Sequence, residues 1–273
     1  MSNLNNRYNI MEITIRDLNK AELFAALFQH MKLFTENINI MFEPTRMFIQ
    51  TMDSSHIAIV EINIPSRWFD DYDLKDNASL TMGINSTILT RVLSTRDKTQ
   101  FINIKLDSED DDKLFVEFTS NDNKVFNKSF EIPLIDLEQE VMAIPETEPQ
   151  AEFALSSLHF SGLINQLKLF GQNMDIECSE EHIILNSVTN DNGKMAVHID
   201  NGELSEFSID EGANLKLSFS LTYLHHICAY NKLSKDVKVR LTEDFPLQVS
   251  YSIGGDESAT MRFFLAPKIN DDL

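Results

Sequence analysis

Few side chains in these 273 residues stand in an arrangement that does chemistry. His56 has no cysteine or carboxylate beside it at motif spacing, so a structural or surface histidine is expected there rather than a base. Cys178 and Cys228 form no C-x-x-C pair, which points to two reduced, buried thiols and not to a zinc site or a disulfide framework. His225 and His226 are adjacent, face different sides of a helix and make a poor metal pair. The acidic run from Asp107 to Asp112 lacks the glycine and closing glutamate of a calcium loop and reads as a charged hairpin turn. No G-x-x-x-x-G-K-S/T, G-x-G-x-x-G, H-E-x-x-H or G-x-S-x-G occurs, and Gly254-Gly255 is an isolated pair in a turn. The expectation is a protein with no catalytic residues, no metal and no cofactor. A nuclease built on scattered acids is the rival, and null nuclease and ATPase assays would separate the two.

Composition bounds the class. Forty-three acids against 23 bases give a formal charge of −20, with a pI near 4.6. That balance argues against a uniformly basic nucleic-acid surface, although net charge does not say where the charges sit. Nine of the 43 acids cluster at 107–112 and at 137–151, whereas Leu158 to Phe170 and Ser220 to Asn231 contain no Asp or Glu. Hydrophobic residues make up 42%, enough for a sizeable core. No apolar run approaches the ~18–20 residues that span a bilayer, and MSNLNNRYNI has no signal-like stretch, so a soluble intracellular protein is expected.

The elements that must carry these residues come in two copies. The stretch from Leu137 to Ala151, LEQEVMAIPETEPQA, is acid-rich, holds Pro145 and Pro149, and reads as an extended linker. Before it, LFVEFTSNDNKVFNKSFEIPLI (Leu114 to Ile135) alternates, turns and closes in a proline, as LQVSYSIGGDESATMRFFLAPKI (Leu247 to Ile269) does at the end of the chain. LTMGINSTILTRVLS (Leu80 to Ser94) likewise matches LKLSFSLTYLHHICA (Leu215 to Ala229). Helices are predicted at Lys20 to Phe34 and Leu158 to Phe170. Helix starts are signalled by Asn19 with Glu22, and by Ser86, Ser157 and Ser220, with Gly171 as a stop. The module reads strand, helix, three strands, helix, three strands: an α+β unit dominated by antiparallel sheet with helices on one face, repeated once. The predicted limits are a flexible extension at 1–10, domain one at 11–136, the linker at 137–151 and domain two at 152–273.

Five segments, in order, carry a family resemblance. MDSSHI (Met52 to Ile57), WFDDYD (Trp68 to Asp73), TMGIN (Thr81 to Asn85), IDLEQEVMAIPETE (Ile135 to Glu148), and FPLQVSYSI with FFLAPKI (Phe245 to Ile253, Phe263 to Ile269) resemble the proliferating cell nuclear antigen (PCNA) family of DNA sliding clamps from Met11 to Ile269. The resemblance implies a processivity factor that is not an enzyme. Its two-domain subunits would close head to tail into a homotrimer around duplex DNA, with sheets outside and four helices lining the hole. It also implies partners: duplex DNA without sequence preference, a DNA polymerase and other proteins carrying a PCNA-interacting motif, a clamp loader, and copies of itself, with no membrane. The compartment implied is the nucleus, or a viral replication compartment if the lineage is viral. Two relatives of the same fold are the alternatives: a subunit of a heteromeric checkpoint-type clamp, and a monomeric viral processivity factor.

The resemblance also assigns residues. The partner-motif pocket falls on Met52, Ile57, Ile59, Met142, Ile144, Pro246, Phe264, Ala266 and Pro267, with His56 at its rim. Pro149 stands where the family commonly has an aromatic residue. The DNA-facing set is Lys20, Lys32, Arg91, Arg96, Lys98, Lys168 and His225, a thin basic lining. The subunit interface is Lys124, Val125, Phe126 and Phe130 against Ala196 and Val197, as edge strands seeking partners. The family's ubiquitin-acceptor lysine aligns near Glu180, so no modification is expected there.

Overall fold

The computed structural model describes residues 9–138, 141–189, 191 and 193–268. Residues 1–8 of the expected extension, part of the expected linker, and Ile269 lie outside them. The chain divides into two compact units, Met1–Thr51 with Glu61–Val141, and Met52–Val60 with Met142–Leu273. In chain order the first unit contributes β1 (Asn9–Ile15), α1 (Leu18–Gln29), β2 (Asn37–Glu43), β3 (Arg46–Met52), β4 (Ala58–Pro65), β5 (Asp71–Leu74), β6 (Leu80–Asn85), α2 (Ser86–Ser94), β7 (Phe101–Asp107), β8 (Lys113–Thr119) and β9 (Lys128–Pro133). Residues 58–60 of β4 belong to the second unit. That unit continues with β10 (Ala151–Ser156), α3 (Ser157–Leu167), β11 (Asn173–Cys178), β12 (His182–Thr189), β13 (Gly193–Asp200), β14 (Glu206–Ile209), β15 (Leu215–Ser220), α4 (Leu221–Cys228), β16 (Asp236–Leu241), β17 (Leu247–Ile253) and β18 (Asp256–Leu265).

The two units share one topology. In the first, strands run in the orders β5-β1-β7-β8-β9 and β6-β2-β3-β4; in the second, β14-β10-β16-β17-β18 and β15-β11-β12-β13. The strands pair antiparallel throughout these registers. Both units are therefore α+β, as the sequence predicts. Period-2 patterning is what makes these strands: β8 (KLFVEFT) and β17 (LQVSYSI) each bury every second residue. The buried sides are rich in aromatic and branched residues. Phe24 packs edge-on to Phe28 with centroids 5.2 Å apart, and Tyr230 lies 5.3 Å from Phe263. The β17–β18 turn is made by Gly254 and Gly255, both at positive φ, which a two-residue hairpin demands.

Several local expectations are corrected. Five strands, not three, separate the helices in each unit. The short strands β5 (DYDL) and β14 (EFSI) sit at sheet edges and do alternate, but over only four residues each, too brief a run to stand out as a strand. The strands β6 and β15 run straight into α2 and α4, which is the strand-into-helix reading of Leu80 to Ser94 and Leu215 to Ala229. Helix α1 stops at Gln29, and Lys32 belongs to the separate 3-10 turn Met31–Leu33. Its N-cap is Asp17, whose Oδ1 accepts from the N–H groups of Asn19 and Lys20. The caps of α2 and α3 are Asn85 and Ser156, each one residue before the expected serine, while Ser220 flanks α4 without a side-chain cap bond. Gly171 does not cap α3. A Cβ there would come within 2.5 Å of Ser187 Oγ and 3.0 Å of the Val188 carbonyl, so the glycine permits close passage of β12.

Candidate functional site

The residues assigned to the partner pocket all fall in the second unit, spread over four segments. Met52 ends β3, and the turn 53–57 leads into β4. Met142 and Ile144 lie in an extended stretch without regular structure, and Pro246 directly precedes β17. Phe264 is the last residue but one of β18, which Leu265 closes before Ala266 and Pro267. The structure brings the first and last of these segments together: the Ala266 N–H donates to the Ile57 carbonyl at 2.9 Å. Ile57 is 37% exposed, Met52, Ile59, Met142 and Ile144 are half-buried, and Phe264 is 8% exposed. His56 and Pro246 are exposed. Several apolar side chains thus meet solvent beside a rigid strand, which is the chemistry of a surface that receives an apolar ligand. The Arg262 guanidinium lies 5.9 Å from the Phe264 ring and 4.0 Å from Glu146 Oε1, a weak tie between β18 and the extended stretch.

Sequence reasoning passed over the two residues that shape this loop. Asp53 is buried. Its Oδ1 accepts from the N–H groups of Ile57 (2.7 Å) and Ala58 (2.6 Å), and its Oδ2 from the Ser55 N–H (2.9 Å) and the Tyr223 hydroxyl (2.7 Å). Burial opposes ionisation of this carboxyl, but the Tyr223 hydroxyl and the three amides outweigh it and hold the pKa below the usual aspartate value. The signal was present as Asp-Ser-Ser at the start of MDSSHI, an Asx-turn pattern. The partner Tyr223, 170 residues away, left none.

The DNA-facing candidates divide by what holds them. Lys20 donates to the Trp68 carbonyl at 2.7 Å and lies over the Trp68 ring, so it is anchored within the first unit. Arg96 folds onto its own loop, with Nη1 donating to the carbonyls of Gln100 (2.8 Å) and Asp97 (3.1 Å). Burial pulls its pKa down against the opposing charges of Glu22 and Asp97. Lys32, Arg91, Lys98 and Lys168 are exposed. Helices α1 and α2 pack together, as do α3 and α4. The second pair brings His225 Nδ1 to 2.8 Å from Asn165 Oδ1 and places His225 within the field of Lys168. Desolvation, then Lys168, lowers the His225 pKa below the ordinary histidine value. His226 shifts the same way through burial, His225 and Lys168.

The interface candidates sit at sheet edges. β9 and β13 are each the outermost strand of their sheet order. Phe130 is in β9 and packs on Phe118 with centroids 5.4 Å apart, while Ala196 and Val197 are in β13. Lys124, Val125 and Phe126 precede β9 in a turn, contrary to the expected continuous strand from Lys124, because Asp122 caps the turn by accepting from the N–H groups of Lys124 and Val125. Phe126 is 86% exposed, although its carbonyl is fixed by Gln100 Nε2 at 2.8 Å. Glu180 is engaged within the second unit, where Oε1 accepts from the Gly212 N–H.

Other groups that sequence reasoning weighed for chemistry are placed in the framework. Cys178 and Cys228 are free and buried, and burial raises the Cys178 thiol to about 11. The acidic run closes the β7–β8 hairpin, with Asp107 Oδ1 accepting from the Glu109 N–H. Among the described residues no group of three or more His, Cys, Asp or Glu is arranged to hold a metal ion.

Comparison with known proteins agrees with this architecture. Residues 13–141 match the family described as proliferating cell nuclear antigen, N-terminal domain, and residues 143–269 match its C-terminal domain. The chain is 29% identical over 259 residues to proliferating cell nuclear antigen of Chaetomium thermophilum, covering 93% of this chain and 98% of the relative. With both domains matched across nearly its whole length, the chain belongs to the proliferating cell nuclear antigen family of DNA sliding clamps.

Proposed function

We propose that this protein is a non-catalytic polymerase processivity factor: a homotrimeric ring that is loaded onto duplex DNA by a clamp loader and docks a polymerase and other motif-bearing proteins. The observation that carries the reading is the pair of bare edges in a repeated topology. In the repeat, β9 corresponds to β18 and β13 to β4. Within the second unit, the chain entering β4 at Ile57 is already bonded to the chain leaving β18 at Ala266. The twin edges, β9 and β13, have no such partner among the described strands. A heterologous contact repeating the internal one would pair β9 of one subunit with β13 of the next and bury Phe126 and Phe130 beside Ala196 and Val197. Repeated with closure, it makes a ring.

In this reading residues 11–136 and 152–273 are the clamp domains and 137–151 the connecting linker. Met52, His56, Ile57, Ile59, Met142, Ile144, Pro246, Phe264, Ala266 and Pro267 form the partner pocket. Exposed Lys32, Arg91, Lys98 and Lys168 supply attraction to phosphate without base readout, as sliding requires. The protein acts at DNA, in the nucleus or a viral replication compartment. Among the described residues no helix is long and apolar enough to cross a membrane.

The test is primer extension on a long single-primed template with polymerase and loader. Wild-type protein should lengthen products by more than ~10-fold, and the double variant Ile144→Ala, Phe264→Ala should lose this while keeping its native mass. Stimulation by a protein that stays monomeric in native mass measurements would overturn the ring.

A further inference from the structure

The geometry points to Asp53 and Tyr223 as a buried strut that sets the shape of the partner-docking loop from beneath. This deepens, and rests on, the pocket reading above. Five hydrogen bonds already close residues 53–58 on themselves. The Asp53 N–H donates to the Ala58 carbonyl (2.9 Å), the His56 N–H donates to the Asp53 carbonyl (3.0 Å), and the amides of Ser55, Ile57 and Ala58 converge on the Asp53 carboxylate. The loop holds His56 at φ 57°, a left-handed conformation that a non-glycine residue keeps only when its surroundings enforce it. Ile57 is the loop's exposed apolar residue, and its two backbone groups are both committed: the N–H to Asp53 and the carbonyl to Ala266.

Besides the Ala266 bond, Tyr223 ties this closed loop to the rest of the second unit: its hydroxyl donates to Asp53 Oδ2 at 2.7 Å from helix α4. A hydrogen bond to a buried carboxylate is among the stronger kinds, and its loss leaves the charge short of a donor. Tyr223 also stands edge-on to His226, centroids 6.2 Å apart, one residue from His225. The strut therefore links the loop bearing Ile57 to the helix that carries a candidate DNA-facing side chain. Neither Asp53 nor Tyr223 need touch the bound peptide; both act through the position of Ile57.

The experiment compares wild type, Tyr223→Phe, Asp53→Asn and the pocket variant Ile144→Ala in the full chain. The probe is a fluorescein-labelled peptide with a glutamine, an aliphatic residue and paired aromatics. Tyr223→Phe should weaken the peptide by about 3- to 10-fold with native mass and thermal midpoint close to wild type, and Asp53→Asn by more, with a lower midpoint because its NH2 faces donors it cannot accept from. Hydrogen exchange supplies a readout independent of the peptide. The Ile57 and Ala58 amides should lose protection by roughly the same factor in Tyr223→Phe and keep it in Ile144→Ala. Unchanged affinity or unchanged protection in Tyr223→Phe overturns the strut. Wild-type protein that ignores the peptide overturns the pocket reading itself and the strut's role in docking with it.

Discussion

Strands β18 and β9 are equivalents in a repeated topology, yet they end in opposite surroundings. β18 closes on Phe263, Phe264 and Leu265, all buried, and the chain beyond it is bonded to Ile57. β9 carries a half-exposed Phe130 and an exposed Glu131, and follows a turn from which Phe126 projects into solvent. The two helix pairs diverge as well. Around α1 and α2, Lys20 and Arg96 are committed to internal carbonyls while Lys32, Arg91 and Lys98 stay exposed; around α3 and α4, Lys168 is exposed beside two histidines. Duplication supplied the frame twice; each copy's side chains then determine what that frame exposes. An edge satisfied in one copy and bare in its twin is the contrast on which the proposed assembly rests, because an open row of backbone groups gains most from a second strand.

The sharpest way to break this contrast is to truncate the same ring type in both strands. Phe263→Ala should cost about 3–5 kcal/mol of unfolding free energy, while Phe130→Ala should cost about 1 kcal/mol in a monomer. Equal losses by chemical denaturation would mean that β9 is as enclosed as β18. Next in size is assembly. Phe126→Asp should weaken subunit association at least ~10-fold in sedimentation velocity without changing the secondary structure, since it places a charge where an apolar contact is proposed.

Exposed and committed cations are separated by salt. Arg91→Ala and Lys168→Ala should each reduce the slope of log affinity against log salt by about 1 for a short duplex, while Lys20→Ala and Arg96→Ala leave it unchanged. A change with Lys20→Ala would show that its bond to Trp68 opens on DNA. The smallest effect is on pH. His225 and His226 have folded pKa values below the ordinary histidine value, so the unfolded chain takes up their protons first on acidification. Stability from this source is complete above the unfolded histidine pKa and declines as pH falls through it. Between pH 7.5 and 5.5 the midpoint should drop by on the order of 1 °C, because both rings are partly solvated, and the double variant His225→Gln, His226→Gln should abolish the drop.

How much of this was legible beforehand varies by residue. The repeat, the antiparallel character and the four helices follow from alternation and helical spacing, because burial on one face imposes period 2 or 3.6 on any chain. The segments MDSSHI and FFLAPKI were legible as a pair through family resemblance, and the structure joins them at Ile57 and Ala266. The short edge strands β5 and β14 were not, since alternation over four residues is too brief to tell a strand from a loop. Helix caps were misplaced by one or two residues, as at Asp17 against Asn19, because neighbouring polar residues qualify equally until the backbone turns.

The sequence by itself determined that two like modules exist, where their cores lie and which family they belong to, because periodicity and residue order are properties of the chain. Only the tertiary structure decided which cations are spent on carbonyls, which edges stay bare, and that Tyr223 reaches Asp53. Those outcomes depend on distances between residues far apart in sequence, and no local pattern encodes a distance.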